Sequence, residues 1–258
     1  MRGDSSIVWR AIGGFFVVFL LSPLVLVVLF AFTSRAQSAF PIEALSLHWW
    51  EAMFADANFA PAFWNSLVIS GTVGVLSAVV GTMAAMGLTR LEPGRAYLVT
   101  TLLCLPLMLP PLVLGVALLS FYSRANIPMG RQTVIMSHLL FALPFVVLIV
   151  YARLRNFDYR VVESARDLGA SPLRAFLTVT LPIIRPTVVG AALIAMALSL
   201  DDFVITYFTI GKGMTLPTFV FNMIRSALTP KANAVGTLIL FMTVGTTPIA
   251  LWLTRYRG

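Results

Sequence analysis

Long uncharged segments constrain the fold of this chain more than any other feature of its sequence. Five of them contain 21 to 33 residues each. They lie between Arg10 and Arg35, Asp56 and Arg90, Arg95 and Arg124, Arg131 and Arg153, and Lys231 and Arg255. A helix needs roughly 20 apolar residues to cross a bilayer. Because lipid offers the backbone no hydrogen-bond partners, these segments predict membrane-spanning helices.

A sixth apolar run extends from Leu181 to about Phe208 and is interrupted by Asp201 and Asp202. We count this run as a span because of its length. The chain is 59% hydrophobic and 11% charged, with a mean hydropathy of +0.93, which lies outside the range of soluble domains. The sequence therefore predicts an all-α integral membrane protein with six transmembrane helices. The stretch between Lys212 and Arg225 is too short to span and is predicted to be interfacial or re-entrant.

The distribution of positive charge predicts the orientation. With the N-terminus in the cytoplasm, the inner segments carry 12 of the 18 Lys and Arg residues, and the outer segments carry six. This excess indicates that both termini are cytoplasmic. The net charge of +8 is a topology signal on this interpretation. A nucleic-acid-binding surface is disfavoured because the positive residues stand singly between spans.

One half-polar insertion, "VVESARDLGASPLRAFLTVTLP", follows the fourth span on the predicted cytoplasmic side. Asn156 or Asp158 is positioned to cap a first short helix. Gly169 supplies a permissive backbone for a stop, and Ser171-Pro172 is typical of the start of a second helix. We call this predicted helix-turn-helix the elbow. Its apolar side needs a partner, either its own transmembrane helices or another subunit.

The elbow resembles the EAA loop of ABC importer permeases. That motif reads E-A-A, three residues, Gly, nine residues and I-x-L-P, and the chain has Glu163-Ser164-Ala165, Gly169 and Val179-Thr180-Leu181-Pro182 in the same register. Ser164 and Val179 depart mildly from the motif. The resemblance implies the type I importer permease fold, with six helices of which five form a core.

The resemblance also implies that the elbow contacts a cytoplasmic ATPase subunit. The residues expected at this contact are Glu163, Ser164, Ala165, Arg166, Gly169, Ala170, Ser171 and Pro172. Arg166 and Arg174 are candidates to pair with acidic ATPase residues, and solvated loop charges are the alternative. The implied organisation is a single permease domain over residues 1–258. Its parts are a first span at 11–32, an outer loop at 33–60 and a core at 61–254 with the coupling loop at 153–181.

Three further stretches resemble the spermidine/putrescine-type permeases: residues 46–70, residues 197–208 and "LTPKANAVGTLIL". The implied cargo is a polyamine or a similar small organic cation. Relatives that handle ferric iron, thiamine, phosphonates or opines share these stretches and stay open as alternatives. The implied partners are a second, heteromeric permease subunit, two ATPase subunits and an extracytoplasmic substrate-binding protein in a bacterial inner membrane.

The sequence offers no chemistry of its own for hydrolysing ATP. Its Gly211-Lys212 pair is followed by Gly213 and does not match a phosphate-binding loop. No catalytic residue, bound cofactor or metal cluster is predicted, and ATP and Mg are expected on the ATPase. A transporter that works without an ATPase is the less favoured alternative, because it leaves the elbow unexplained.

Asp201 and Asp202 are the candidate residues of the translocation path. Ionised groups in a membrane protein are costly unless they face a polar cavity or a cation. The alternatives are a cap for the next segment, or a salt bridge to Lys212, Arg225 or the partner subunit. His138 is predicted to be a packed or interfacial ring, rather than a ligand or proton carrier.

Two other patterns predict how the helices pack. Ser70, Gly74, Ser77, Gly81 and Ala85 form a stripe of small residues along span two. Such stripes let helices approach closely, and lining a polar path is the alternative role. A cluster of three prolines at 106, 110 and 111 is predicted to break or kink span three.

Overall fold

The computed structural model describes residues 3–226 and 229–255, with side chains for 9–226 and 229–245. The two chain ends, with Arg2 and Arg257, lie outside the described residues. The described chain is helical, with an isolated β-bridge between Thr33 and Leu45. This confirms the predicted all-α class.

Eleven helices are used below to locate the sites in the described ranges. They are α1 Gly3–Phe30, α2 His48–Phe54, α3 Phe59–Leu88, α4 Pro93–Met108, α5 Pro111–Arg124, α6 Arg131–Arg155, α7 Arg160–Asp167, α8 Pro172–Asp201, α9 Val204–Thr209, α10 Leu216–Ser226 and α11 Pro230–Arg255.

In the described part of the chain, four helices are long and apolar enough to cross a membrane. They are Trp9–Phe30 in α1, all of α3, all of α6 and all of α8. The helices α4 and α5 are together long and apolar enough to cross a membrane, but they meet at a bend of 94°. They make a fifth candidate if the two are one broken span. The span predicted between Lys231 and Arg255 falls on α11, whose side chains from residue 246 onward lie outside the described residues.

The prolines explain the break between α4 and α5. Leu109 and Pro110 adopt extended backbone with ψ of 136° and 135°, and Pro111 opens α5. A proline ring has no N–H to donate and clashes with a helical carbonyl one turn earlier. Two adjacent prolines therefore end α4 and start α5, as the sequence predicted.

The chain divides into two compact units. The first comprises Met1–Pro61 and Phe219–Phe241. The window Trp9–Phe30 of its helix α1 is strongly apolar and none of it is buried, which is the pattern of a helix that faces lipid. Lys231 forms a half-buried ion pair with Asp56. The hydrogen bond from Lys231 lowers the pKa of the Asp56 carboxyl.

The second unit comprises Ala62–Thr218 and Met242–Gly258. Its core joins α3, α6 and α8 through buried aliphatic residues, including Ile69, Val146 and Ile184. A Cβ built on Gly74 would lie 2.2 Å from Met196 Cγ of α8, and one on Gly81 would lie 2.8 Å from Val146 Cγ1 of α6. The stripe of small residues is therefore a close helix contact.

The structure corrects the predicted bounds of the span at Leu181 to about Phe208. The helix α8 begins at Pro172 instead of Leu181 and ends at Asp201 instead of Phe208. The predicted second helix of the elbow is consequently the first turns of α8, joined to the rest by a π-helical turn at Phe176–Thr180. At 30 residues α8 is about 45 Å long, longer than the roughly 30 Å of hydrocarbon.

The segment between Lys212 and Arg225 forms α10, which has 11 residues and is about 16 Å long. It is too short to span, as predicted. Two hydrogen bonds hold its start against α3: Ser66 Oγ accepts from Leu216 N at 2.8 Å, and Asn65 Nδ2 donates to the Met214 carbonyl at 2.8 Å.

Candidate functional site

The elbow starts with a capped short helix. Asp158 Oδ1 accepts a hydrogen bond from the backbone N–H of Arg160 at 3.1 Å, where α7 begins. The other predicted capping residue, Asn156, instead donates its side-chain amide to the carbonyl of Ala152 at 3.1 Å. Of the two candidates, Asp158 therefore satisfies a free N–H group of α7 and Asn156 a free carbonyl of α6.

The turn at Gly169 has the geometry of a Schellman motif. Gly169 has φ of +85°, which a residue with a Cβ rarely adopts. Its N–H donates to Arg166 O at 2.9 Å, and the N–H of Ala170 donates to Ala165 O at 3.1 Å. These two bonds satisfy the last carbonyls of α7. The stop that the sequence predicted at Gly169 is thus present.

The start that the sequence predicted for the second helix of the elbow is the start of α8. Ser171 has an extended backbone, and its hydroxyl accepts from the Arg174 N–H at 3.3 Å. Pro172 occupies the first helical position, where a missing N–H costs nothing. The elbow is therefore a short helix, a left-handed turn and a capped entry into a spanning helix.

One face of the elbow is not covered by the chain itself. Leu168 is 89% exposed at the turn, and Val161 and Leu173 are also exposed. These apolar side chains are therefore open to solvent or to a partner. The opposite face is half-buried at Val162 and Ala165.

Beneath that face lies a groove of about 400 Å³. Its apolar lining comes from Met86 at the end of α3, Leu154 of α6 and Phe176 of α8. Its charged lining comes from Arg90, Glu163 and Arg166. One of the two placements that the sequence left open is thus present, because this face of the elbow lies over the chain's own helix ends. Contact of the exposed face with another subunit stays a prediction.

Three charged residues of the elbow are exposed and have no ion-pair partner among the described residues. Glu163, Arg166 and Arg174 are exposed, and in the described ranges none of the three forms an ion pair within the chain. Ser164 turns its hydroxyl back to the Arg160 carbonyl at 2.9 Å. The three charges are therefore available to a partner or to solvent.

The acidic pair sits where α8 stops and α9 begins. Asp202 has ψ of 120° and leaves the helix. Its Oδ2 accepts from Thr206 N at 2.8 Å and lies 3.1 Å from Thr206 Oγ1. This is the capping role that the sequence gave as an alternative. Asp201 is exposed, whereas Asp202 is half-buried.

His138 of α6 completes a buried polar cluster around this break. The ring is 1% exposed. Its Nδ1 lies 2.7 Å from Ser199 Oγ, and its Nε2 lies 3.0 Å from Thr206 Oγ1 and 3.3 Å from Asp202 Oδ2. The imidazole thus bridges both sides of the break. His138 is a packed ring, as predicted, and it also has specific polar partners.

A family model for the "Binding-protein-dependent transport system inner membrane component" matches residues 77–256. The match covers more than half of the chain and contains the elbow and the acidic pair. The chain belongs to this family. It is accordingly a multi-pass inner membrane permease of the ABC importer class, as the EAA-like register indicated.

Curated relatives of this permease extend the match. The putrescine transport system permease protein PotI of Escherichia coli (strain K12) is 34% identical over 234 residues, covering 86% of this chain and 82% of the relative. The spermidine/putrescine transport system permease protein PotC of Haemophilus influenzae is 29% identical over 238 residues, covering 92% of each chain.

Solved structures share the fold of this permease. A chain of a bacterial ABC transporter that imports alginate superposes with a TM-score of 0.70 at 18% identity, covering 99% of this chain and 94% of that one. A chain of the MetNI methionine ABC transporter superposes with a TM-score of 0.63 at 19% identity, covering 77% and 95%. At such identities the likeness concerns the fold alone.

Sequence reasoning missed two parts of these sites in the permease. Ser199 and Thr206 were not singled out, because nothing in a linear pattern shows that they meet a histidine more than 60 residues away. The groove under the elbow was also missed, since Met86 and Phe176 come from different helices. A partial signal existed in the polar spacing of Ser199, Asp202 and Thr206.

Proposed function

We propose that this permease forms half of the translocation path of an ATP-driven importer for a polyamine or a similar small organic cation. The names of PotI and PotC, which both refer to putrescine transport, support this cargo. A related importer for ferric iron, thiamine, a phosphonate or an opine is the alternative, because the fold and the elbow serve any such solute.

The observation that carries the proposal is the exposed turn of the elbow. A left-handed Gly169 in EAA register presents Leu168 to solvent at 89% exposure. Burying one leucine side chain contributes roughly 1.5–3 kcal/mol, so a partner groove that covers Leu168 would stabilise the complex by about this amount. In our proposal that partner is the ATPase subunit, which binds ATP and Mg and drives α8, because α8 follows the turn directly in the chain.

The cargo path lies, in this proposal, at the break between α8 and α9. Asp201 is exposed there and offers a negatively charged binding site to an ammonium group. Asp202 stabilises the break by accepting a hydrogen bond from the backbone N–H of Thr206. Discontinuous helices recur at the binding sites of membrane transporters, where freed backbone groups and carboxylates meet the solute.

The remaining assembly follows from the mechanism. Alternating access requires two halves that move about a shared path, and this chain supplies one elbow. The second half is a different permease subunit in our proposal, as in the heteromeric polyamine systems that the sequence resembles. Two ATPase subunits and an extracytoplasmic binding protein complete the importer.

Substitutions in the elbow test the coupling. Gly169→Val forces a β-branched residue into φ of +85° and Glu163→Lys reverses an exposed charge. We expect both variants to insert normally and to lose uptake in proteoliposomes, while ATP turnover no longer responds to the loaded binding protein. Gly169→Asn is the matched control, because asparagine tolerates left-handed backbone better than valine, and it should keep most uptake.

Three results bear against the proposal. Normal uptake by both Gly169→Val and Glu163→Lys removes the elbow from coupling. Uptake by the permease without any ATPase assigns the chain to another transporter class. A binding protein from the same assembly that prefers a neutral or anionic solute removes the organic cation and favours the alternative cargoes.

A further inference from the structure

A second cavity, separate from the acidic pair, opens beside the elbow. It has a volume of about 360 Å³, within the range of pockets that hold small ligands. Its walls come from the end of α3, the start of α4 and the end of α6. Its floor is apolar, because Leu88 and Leu154 are 3% and 1% exposed.

The cavity lies where three helices end. The spanning helix α3 ends at Leu88, α4 begins at Pro93 and the spanning helix α6 ends at Arg155. Because all three helices terminate around the same cavity, its mouth is expected among the lipid headgroups rather than in the hydrocarbon. This is the side of the molecule that the Lys and Arg count predicts to be cytoplasmic.

The charge of the cavity is positive. Arg155 is the charged residue among those lining it, and no acidic residue lines it. Arg155 Cζ lies 6.0 Å from the centroid of the ring of Tyr151, at the outer limit of a cation–π contact, and both residues line the cavity. In the part of the chain that the structure describes, Arg155 has no ion-pair partner. A planar guanidinium matches the oxygens of a phosphate with two parallel hydrogen bonds.

Polar aromatic side chains rim the mouth. Tyr97 is 75% exposed, and Tyr159 donates its hydroxyl to Thr89 Oγ1 at 3.4 Å. Tyrosine is enriched at the membrane–water interface, where its ring is in contact with lipid and its hydroxyl with water. The rim therefore has the composition of a headgroup site.

From this arrangement we propose that the cavity binds the headgroup of an anionic phospholipid, with Arg155 holding the phosphate. Basic pockets between transmembrane helices on the cytoplasmic side are suited to anionic headgroups. The site is independent of the solute that the permease carries.

The test uses the full-length permease, purified in its complex in a neutral detergent and titrated with phosphatidylglycerol or phosphatidylcholine. Native mass spectrometry counts the bound lipid. We expect a preference for phosphatidylglycerol that falls about fivefold in Arg155→Gln, the effect of one basic residue at an anionic lipid surface, and that is largely kept in Arg155→Lys.

The matched control is Arg153→Gln. Arg153 is exposed in the same last turn of α6 but does not line the cavity, so its loss should leave the preference unchanged. Tyr97→Glu is a second variant that cannot unfold a core, because the side chain is already exposed, and its carboxylate should repel the headgroup and lower phosphatidylglycerol binding.

Several outcomes overturn the proposal. Equal binding of the two lipids by the wild-type complex, or equal losses in Arg155→Gln and Arg153→Gln, removes the site. Displacement of phosphatidylglycerol by excess inorganic phosphate assigns the cavity to a soluble anion. Loss of the ATPase from Arg155→Gln with unchanged lipid binding assigns it to a subunit interface.

Discussion

The contact between α3 and α6 at Gly81 makes the most direct test of the packing in this permease. A Cβ at this position would lie 2.8 Å from Cγ1 and 3.1 Å from Cβ of Val146. Valine is branched at Cβ and has little rotamer freedom, so it cannot turn aside. Gly81→Ala should therefore push the two helices apart or strain Val146, at an overpacking cost of about 1–3 kcal/mol.

The same helix supplies a matched control. A Cβ at Gly71 meets nothing within 4 Å, so Gly71→Ala gains only the helix preference of alanine, about 0.5–1 kcal/mol. Both substitutions share that gain in the middle of α3. The difference between the two variants therefore isolates the cost of the added methyl group against Val146.

The measurement is thermal unfolding of the purified permease in one detergent, followed by loss of helical circular dichroism. One kcal/mol shifts the midpoint of a domain of 150–250 residues by about 2–4 °C. We expect Gly81→Ala to unfold about 2–12 °C below Gly71→Ala. Adding Val146→Ala to Gly81→Ala should recover part of the loss, because it removes the methyl groups that clash. Equal midpoints for the two single variants would refute the close contact.

Three further predictions follow from the polar contacts. His138→Ala should destabilise the protein by roughly 1–3 kcal/mol, because it leaves buried hydroxyls without their partner, and an unchanged unfolding midpoint would contradict this. The Asp56–Lys231 pair, in which Asp56 has a lowered pKa, should stabilise its unit fully above the unfolded pKa of about 3.9. That contribution is lost as the pH falls through the lower folded pKa. Lys231→Met should reduce this acid step in tryptophan fluorescence, with a remainder because hydrogen bonds from Asn58 also lower the pKa of Asp56, and an unchanged step would assign it to other groups. If Asp201 meets the cargo, Asp201→Asn should lower cation uptake without changing the unfolding midpoint, whereas Asp202→Asn should lower both; uptake equal to wild type in Asp201→Asn would restrict the pair to structure.

Several local features were predictable because each depends on neighbours in the chain. The stop at Gly169 and the start at Ser171-Pro172 follow from backbone preferences of single residues. The break between α4 and α5 follows from two prolines that cannot donate a hydrogen bond. The EAA-like register around Glu163 likewise lies within one short segment, and the family match supports the class of protein that it indicated.

The bounds of α8 were mispredicted for a physical reason. The sequence treats Asp201 and Asp202 as an interruption inside a span, but the carboxylate of Asp202 bonds the Thr206 N–H and ends the helix there. At the other end, the apolar pattern falters after Pro172 while the backbone stays helical through a π-helical turn. Hydropathy indicates which residues contact lipid, but it does not indicate where the backbone hydrogen bonds of a helix end.

The sequence by itself determined that the chain crosses a membrane, that it is helical and that it carries a capped elbow in the register of an importer permease. Those properties come from composition and from bonds between near neighbours. Only the tertiary structure decided that His138 bridges Ser199, Asp202 and Thr206, and that Arg155 stands beside a cavity between three helix ends. Such contacts depend on how distant helices pack, because their side chains meet only when close contacts such as Gly81 against Val146 bring the backbones together.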